Sequence, residues 1–163
     1  MVVWDPPIRD YQFLYHELLP AIETVQRLGY TDFNADFLDS LIEGWATHCE
    51  EVWLPINQLG DREGLKFEDG KITMPQEFKD AYRKGIDEGW LSTTCELEHG
   101  GMGVPLFFQA VTWAEFGTSA CMALSVLPAL SIGVYEVLVK HGRQDLIDYF
   151  ATNLASGEWS GTM

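Results

Sequence analysis

Positive charge is what this sequence has least of. Lysine and arginine number 10 against 25 aspartates and glutamates in 163 residues, leaving a formal charge of −15. A surface of that sign repels phosphate backbones and anionic headgroups, so neither nucleic acid nor a membrane surface is an expected partner. Cysteine is also scarce: Cys49, Cys95 and Cys121 are odd in number and lack CxxC spacing. They read as reduced thiols and not as a disulfide scaffold. No basic stretch followed by an apolar one opens the chain, where Asp5, Pro6, Pro7, Arg9 and Asp10 stand instead. The expected compartment is the cytoplasm.

Catalytic signatures are missing too. Gly100-Gly101-Met102-Gly103 has the composition of a phosphate cradle, but the Lys-Ser/Thr of a P-loop is absent and no strand precedes it. A tight turn before a helix opened by Pro105 is the simpler reading. Cys95, Glu96, Glu98 and His99 crowd four possible ligands into five residues, with His48, Cys49 and Glu51 as an imaginable second group. Neither group has the i, i+4 pairing of helical ligands, so no metal site is expected and a solvated acidic loop is preferred. No serine lies in a GxSxG context, and the adjacent Glu50 and Glu51 diverge on a helix. From these motifs, no catalytic, cofactor-binding or metal-binding residue is assigned.

What the chain does have is apolar residues, 47% of it, at helical spacing. Tyr11, Leu14, Tyr15 and Leu18 fall at i, i+3, i+4, i+7. Asn34 is a plausible N-cap for the longest amphipathic run, from Phe37 through Trp45, Cys49 and Trp53 to Ile56, with Pro55 expected to shorten it. Residues 57–74 are punctuated by glycines and read as a structured loop, in which Asp69-Gly70 could close a small hairpin. Phe78, Tyr82, Ile86 and Trp90 form one helical stripe. Trp45, Cys49, Trp53, Phe78, Tyr82 and Trp113 are therefore expected to be buried. A helix from Pro105 would carry Phe107, Phe108, Val111, Trp113 and Phe116, with Thr118 or Ser119 capping the next. From Gly117 to Tyr135 no charge occurs, which touches the ~18-residue threshold for a membrane span. Its serines, glycines and proline favour a buried core helix instead. No strand pattern persists, so the predicted fold is all-α.

The order of segments carries more. Glu98-His99-Gly100-Gly101-Met102-Gly103-Val104-Pro105, two apolar helical stretches, and Gly157-Glu158-Trp159 follow one another in the last third. This order resembles the acyl-CoA dehydrogenases, and the likeness covers nearly the whole chain. Leu59-Gly60-Asp61-Arg62-Glu63-Gly64, Asp69-Gly70, Pro75 with Phe78-Lys79, Ala81-Tyr82 and Gly89-Trp90, and a start with Pro6-Pro7-Ile8-Arg9-Asp10, Phe13-Leu14 and Glu17-Leu18 resemble its 3-methylmercaptopropionyl-CoA dehydrogenase-like branch.

The resemblance implies a division into an amino-terminal helical extension (1–33), the family's helical domain (34–156), and the start of a β domain (157–163). It implies a parent enzyme that introduces an α,β double bond into an acyl-CoA thioester. FAD would lie between later domains, with electron-transfer flavoprotein as partner and a homo-oligomeric state. The flavin site and catalytic base would lie beyond Met163, so the segment alone is expected to be inactive and to bind no flavin. Its own part would be one wall of the acyl channel, with Leu124, Ser125, Pro128 and Ile132 as the substrate-binding positions. Association is expected through apolar surface on 119–140 and near Trp159. The rival reading is a non-catalytic helical interaction protein of the same ancestry.

Overall fold

A computed structural model describes residues 4–108 and 113–162. The expected positions Val111 and Met163 lie outside these. The first helix, α1 (Ile8–Gln12), loosens into a π-helical stretch, Phe13–Leu18, and α2 (Ala21–Arg27) follows after Pro20. Asn34 caps α3 (Ala35–His48) as expected, its side chain accepting from the Phe37 N–H at 2.9 Å. The helix then widens into a second π-helical stretch, Cys49–Trp53, and continues as α4 (Leu54–Glu63).

Pro55 does not end this run. It is the second residue of α4, directly after the π-helical stretch, where the backbone hydrogen-bond ladder is already shifted and a missing N–H is accommodated. Residues 57–63, read as loop, are therefore helical. The polar composition that suggested a loop reflects exposure: no residue of α4 is buried.

The loop proper is a hairpin of β1 (Lys66–Glu68) and β2 (Lys71–Thr73). Asp69 and Gly70 both have positive φ, 48° and 77°, as a type I′ turn requires. These are the only strands among the described residues, so the fold is helical as the periodicity indicates. Pro75 stands just before α5 (Gln76–Asp87), and two 3₁₀ turns, Trp90–Ser92 and Leu97–His99, precede the glycine loop. After it come α6 (Leu106–Phe108), α7 (Ala114–His141) and α8 (Gln144–Ala155).

Aromatic packing fixes the centre. Trp45, Trp53 and Trp113 are buried, with Trp45 edge-on to Trp53 at 5.0 Å and stacked on Trp113 at 5.5 Å. Cys49 is buried beside them. The amino-terminal extension joins the same core: Tyr11 meets Phe116 edge-on at 5.2 Å, and Tyr15, Val25 and Phe33 are buried with it. Phe78 and Tyr82 depart from expectation, being only half-buried.

The apolar helix also departs. By length and composition α7 could cross a bilayer, but it is neither capped at Thr118 or Ser119 nor buried all round. Those two residues are helical. The break falls at Cys121, whose φ of −155° and ψ of 96° are those of an N-cap and not of a helix interior. The N–H groups of Ala123 and Leu124 point at its sulfur. In effect the helix restarts there. One face is buried; the other shows Met122, Val126, Leu127 and Val137 to solvent.

Candidate functional site

A groove of about 1000 Å³ runs between α4 and α5 on one side and α7 on the other. Phe78 and Tyr82 line it from α5, and Ala123, Leu124 and Leu127 from α7. This explains their half-burial: the stripe on α5 faces a groove where a packed core was expected. Gly60 lets α4 approach, since a Cβ there would lie 2.4 Å from the Phe78 ring. Charge gathers at one end, where Arg83 donates to Glu158 at 2.9 Å and so ties α5 to the segment after α8.

That segment lies against α7. The Gly161 N–H donates to Ser131 Oγ at 3.1 Å, and Gly157 and Ser160 complete the groove wall. Residues 158–162 form no strand with the described residues.

The four positions taken from the resemblance do not share one environment. Leu124 lines the groove, although its side chain is 1% exposed. Ser125 is buried and donates to the Cys121 carbonyl at 3.1 Å, so its hydroxyl is spent inside the helix. Pro128 and Ile132 are buried further along the same face and do not line the groove. Pro128 has no N–H and leaves the Leu124 carbonyl without its usual i+4 donor. Sequence reasoning missed Asn57, Leu65 and Met74 as wall residues. Only the half-apolar, half-charged character of 57–83 hinted at them.

The glycine loop is closely packed and hydrogen-bonded to itself. A Cβ on Gly101 would fall 2.1 Å from the Cys95 carbonyl oxygen, so no other residue fits there undistorted. The N–H groups of Gly100, Gly101, Met102 and Gly103 donate to the carbonyls of Leu97, Glu96, Ser92 and Cys95. None remains to cradle a phosphate, so these residues do not fit the pyrophosphate of a flavin nucleotide.

Next to the loop, Glu96, Glu98 and His99 bring ligand atoms within 4.8 Å of one another. Cys95 does not join them. His99 Nδ1 is held by the Tyr135 hydroxyl at 2.7 Å, and that hydroxyl also accepts the Glu96 N–H at 2.9 Å. Burial pushes the Tyr135 phenol up to about 12. The imagined second group is elsewhere, His48 being paired with Glu88. Three ligands, two of them exposed, fall short of a closed tetrahedral site.

Nor are the cysteines nucleophiles. All three thiols are buried, and burial raises each pKa, that of Cys95 to about 12. The arrangement offers a groove that is apolar along α7 and Phe78 and charged where Asp61, Lys79, Asp80, Arg83 and Glu158 line it.

Comparison with known proteins identifies the family. Residues 49–158 match the model of the family described as acyl-CoA dehydrogenase, N-terminal domain. The chain is 32% identical over 164 residues to a 3-methylmercaptopropionyl-CoA dehydrogenase of Ruegeria pomeroyi, covering 99% of this chain and 27% of that protein. It is 26% identical over 160 residues to a butyryl-CoA dehydrogenase of Syntrophomonas wolfei subsp. wolfei, covering 96% of this chain and 26% of the relative. A second butyryl-CoA dehydrogenase of that organism is 28% identical over 159 residues. The chain thus spans about a quarter of the length of these curated relatives. With the family's domain matched over two thirds of its residues and a helical fold to go with it, this chain belongs to the acyl-CoA dehydrogenases through their N-terminal domain.

Proposed function

We propose that this chain serves as the amino-terminal helical segment of an FAD-dependent acyl-CoA dehydrogenase, and that its groove is one wall of the acyl channel. The observation that carries the reading is the groove itself, apolar along Phe78, Ala123, Leu124 and Leu127. A wall of this kind excludes water from an aliphatic or thioether chain and gives it van der Waals contact, without touching the reacting carbons. Ser125, Pro128 and Ile132 act behind Leu124, fixing the face of α7 that it stands on.

Hydride acceptance belongs to the flavin that the family uses in general. The glycine loop has its N–H groups spent on its own carbonyls, and on this reading FAD and the base that removes the α-proton belong to other segments of the parent enzyme. By the same reading the segment alone is inactive, the complete enzyme hands electrons to electron-transfer flavoprotein, and the protein works in the cytoplasm as a homo-oligomer. With a net charge of −15, the anionic nucleotide end of the thioester is proposed to dock mainly on basic groups contributed elsewhere.

Titration calorimetry of the chain with acyl-CoA esters of increasing length tests the wall. Weak binding that strengthens with chain length, and weakens when Leu127, 43% exposed on the groove, is replaced by Asp, is the expected result. Affinity independent of acyl length would overturn it.

A further inference from the structure

The hairpin at 65–74 is amphipathic, and its apolar side carries Phe67 and Ile72 into solvent, while Leu65 and Met74 at its base border the groove. In a strand, alternate residues share a face. The register pairs Phe67 with Ile72, Lys66 with Thr73 and Glu68 with Lys71. Leu65, Phe67, Ile72 and Met74 therefore fall on one face, and Lys66, Glu68, Lys71 and Thr73 on the other. Every residue from 65 to 74 is exposed, Phe67 at 72% and Ile72 at 67%. A lone two-stranded hairpin showing such a face is marginal in water. We propose that this hairpin is a self-association surface, pairing through the outer edge of β1 with β1 of a second copy of the chain.

The backbone allows it. A two-residue type I′ turn makes Glu68 and Lys71 the hydrogen-bonded pair next to the turn. By alternation Phe67 and Ile72 are a non-hydrogen-bonded pair, so the Phe67 N–H and C=O are directed away from β2. They are open to a strand on the other side. An antiparallel two-fold pairing centred on Phe67 lets the two copies of that residue exchange both N–H···O=C bonds.

Charge complementarity selects this partner. Centring on Phe67 sets Lys66 of each copy opposite Glu68 of the other, and does so twice. Within each hairpin Glu68 already faces Lys71, so each row across the polar face sets Glu68 between Lys71 of its own copy and Lys66 of the other, and ends on the neutral Thr73. Self-pairing of β2 about Ile72 would instead set Lys71 opposite Thr73, with no ion pair. The hairpin is also locally neutral, Lys66 and Lys71 balancing Glu68 and Asp69, in a chain whose net charge is −15. Two copies meet there with less repulsion than elsewhere on an acidic surface.

The test is the association state of the 163-residue chain by sedimentation equilibrium, with charge swaps at the paired positions. A concentration-dependent dimer is expected. K66E and E68K should each weaken it by about 10-fold, since each replaces two attractive pairs by two like-charge pairs. The double variant K66E/E68K should restore it. Because these side chains are exposed, circular dichroism should show all three variants folded.

Phe67→Cys adds a test of register. A hydrogen-bonded antiparallel pair holds Cα atoms about 5.5 Å apart, within disulfide reach. The three native cysteines are buried, so mild oxidation with oxidised glutathione should cross-link the introduced thiol between two copies in high yield. A monomer at every concentration up to about 1 mM would overturn the proposal. So would a dimer indifferent to the swaps, which would place the interface elsewhere, for example on the outer face of α7. Failure of the double variant to restore association, or of the introduced thiol to cross-link, would also count against it.

Discussion

His48, at the end of α3, is held through Nδ1 by the Glu88 carboxylate beyond α5, at 2.6 Å, while its Nε2 has no hydrogen-bond partner among the described residues. The ring is stacked on Trp45 and its side chain is 1% exposed. Glu88 accepts from Trp90 Nε1 as well, at 3.1 Å, so one carboxylate joins α3, α5 and the following turn. Burial lowers the His48 pKa, against the opposing pull of Glu88. The physical reason is visible: protonation would put a second N–H where no acceptor waits.

The pH dependence follows from that direction. The unfolded imidazole takes a proton at ~6.5, before the folded one does, so the unfolded state binds more protons as pH falls. The His48 contribution to stability should be complete above about 6.5 and decline below it, by at most ~1.4 kcal/mol per pH unit, until the folded ring itself protonates. Glu88→Gln removes the group that raises the His48 pKa, so the decline should extend to lower pH. Urea midpoints between pH 5 and 8, with the His48 Cε1–H titration followed by NMR, check this. A midpoint that rises on acidification through that range would contradict it.

Gly101 should tolerate no side chain. Gly101→Ala puts a methyl 2.1 Å from a backbone carbonyl, which no rotamer change can relieve. The expected cost is about 1–3 kcal/mol, read as a lowered denaturation midpoint. Gly100→Ala is the control: its φ of 88° strains a side chain, but a Cβ there meets open space. A Gly101→Ala protein as stable as the original would mean that the loop is not packed as described.

How legible this fold was depended on which physical signal each segment carried. The aromatic core was readable because Trp45, Cys49 and Trp53 recur at four-residue steps, and the turn at Asp69-Gly70 because its chemistry is specific. The α4 helix was misread because its apolar residues, Leu54, Ile56 and Leu59, are few and only half-buried, and Gly60 and Gly64 read as loop punctuation. Phe78 and Tyr82 showed the right period but not what they face, since periodicity identifies a stripe and leaves open whether core or groove lies beneath. The groove itself was not legible, being made by segments as far apart as Asn57 and Ser160. Leu124 came from family resemblance alone.

Cys121 shows the same limit from another side. Nothing in an uncharged run marks an N-cap at a cysteine, because sulfur is a weak acceptor and rarely serves. Yet its thiol receives the Ala123 and Leu124 N–H groups at the point where α7 restarts. Cys121→Ala should therefore cost about 0.5–2 kcal/mol, the range for losing a cap, and Cys121→Ser should retain more of the stability by keeping an acceptor. Urea denaturation of both variants decides it. Equal loss in the two would assign the effect to packing.

The last prediction separates Leu124 from the residues behind it. If the groove is the acyl wall, filling it at Leu124 should alter which chains fit, whereas changing Ile132 should alter only how firmly α7 is held. Leu124→Phe adds bulk to a side chain that is 1% exposed beneath Ala123 and Leu127, and the extra volume has the groove as its outlet. In the complete enzyme it should lower kcat/KM for the longest acyl thioesters by about 10-fold while leaving short ones nearly unchanged, since one or two methylenes of lost room are worth ~1–3 kcal/mol. Ile132→Val should destabilise by about 0.5–1.5 kcal/mol without changing the chain-length profile. Initial rates across a series of acyl-CoA lengths, with a melting curve for each variant, provide both readouts. A uniform loss across all lengths in Leu124→Phe would show that the residue acts through stability, and that the channel runs elsewhere.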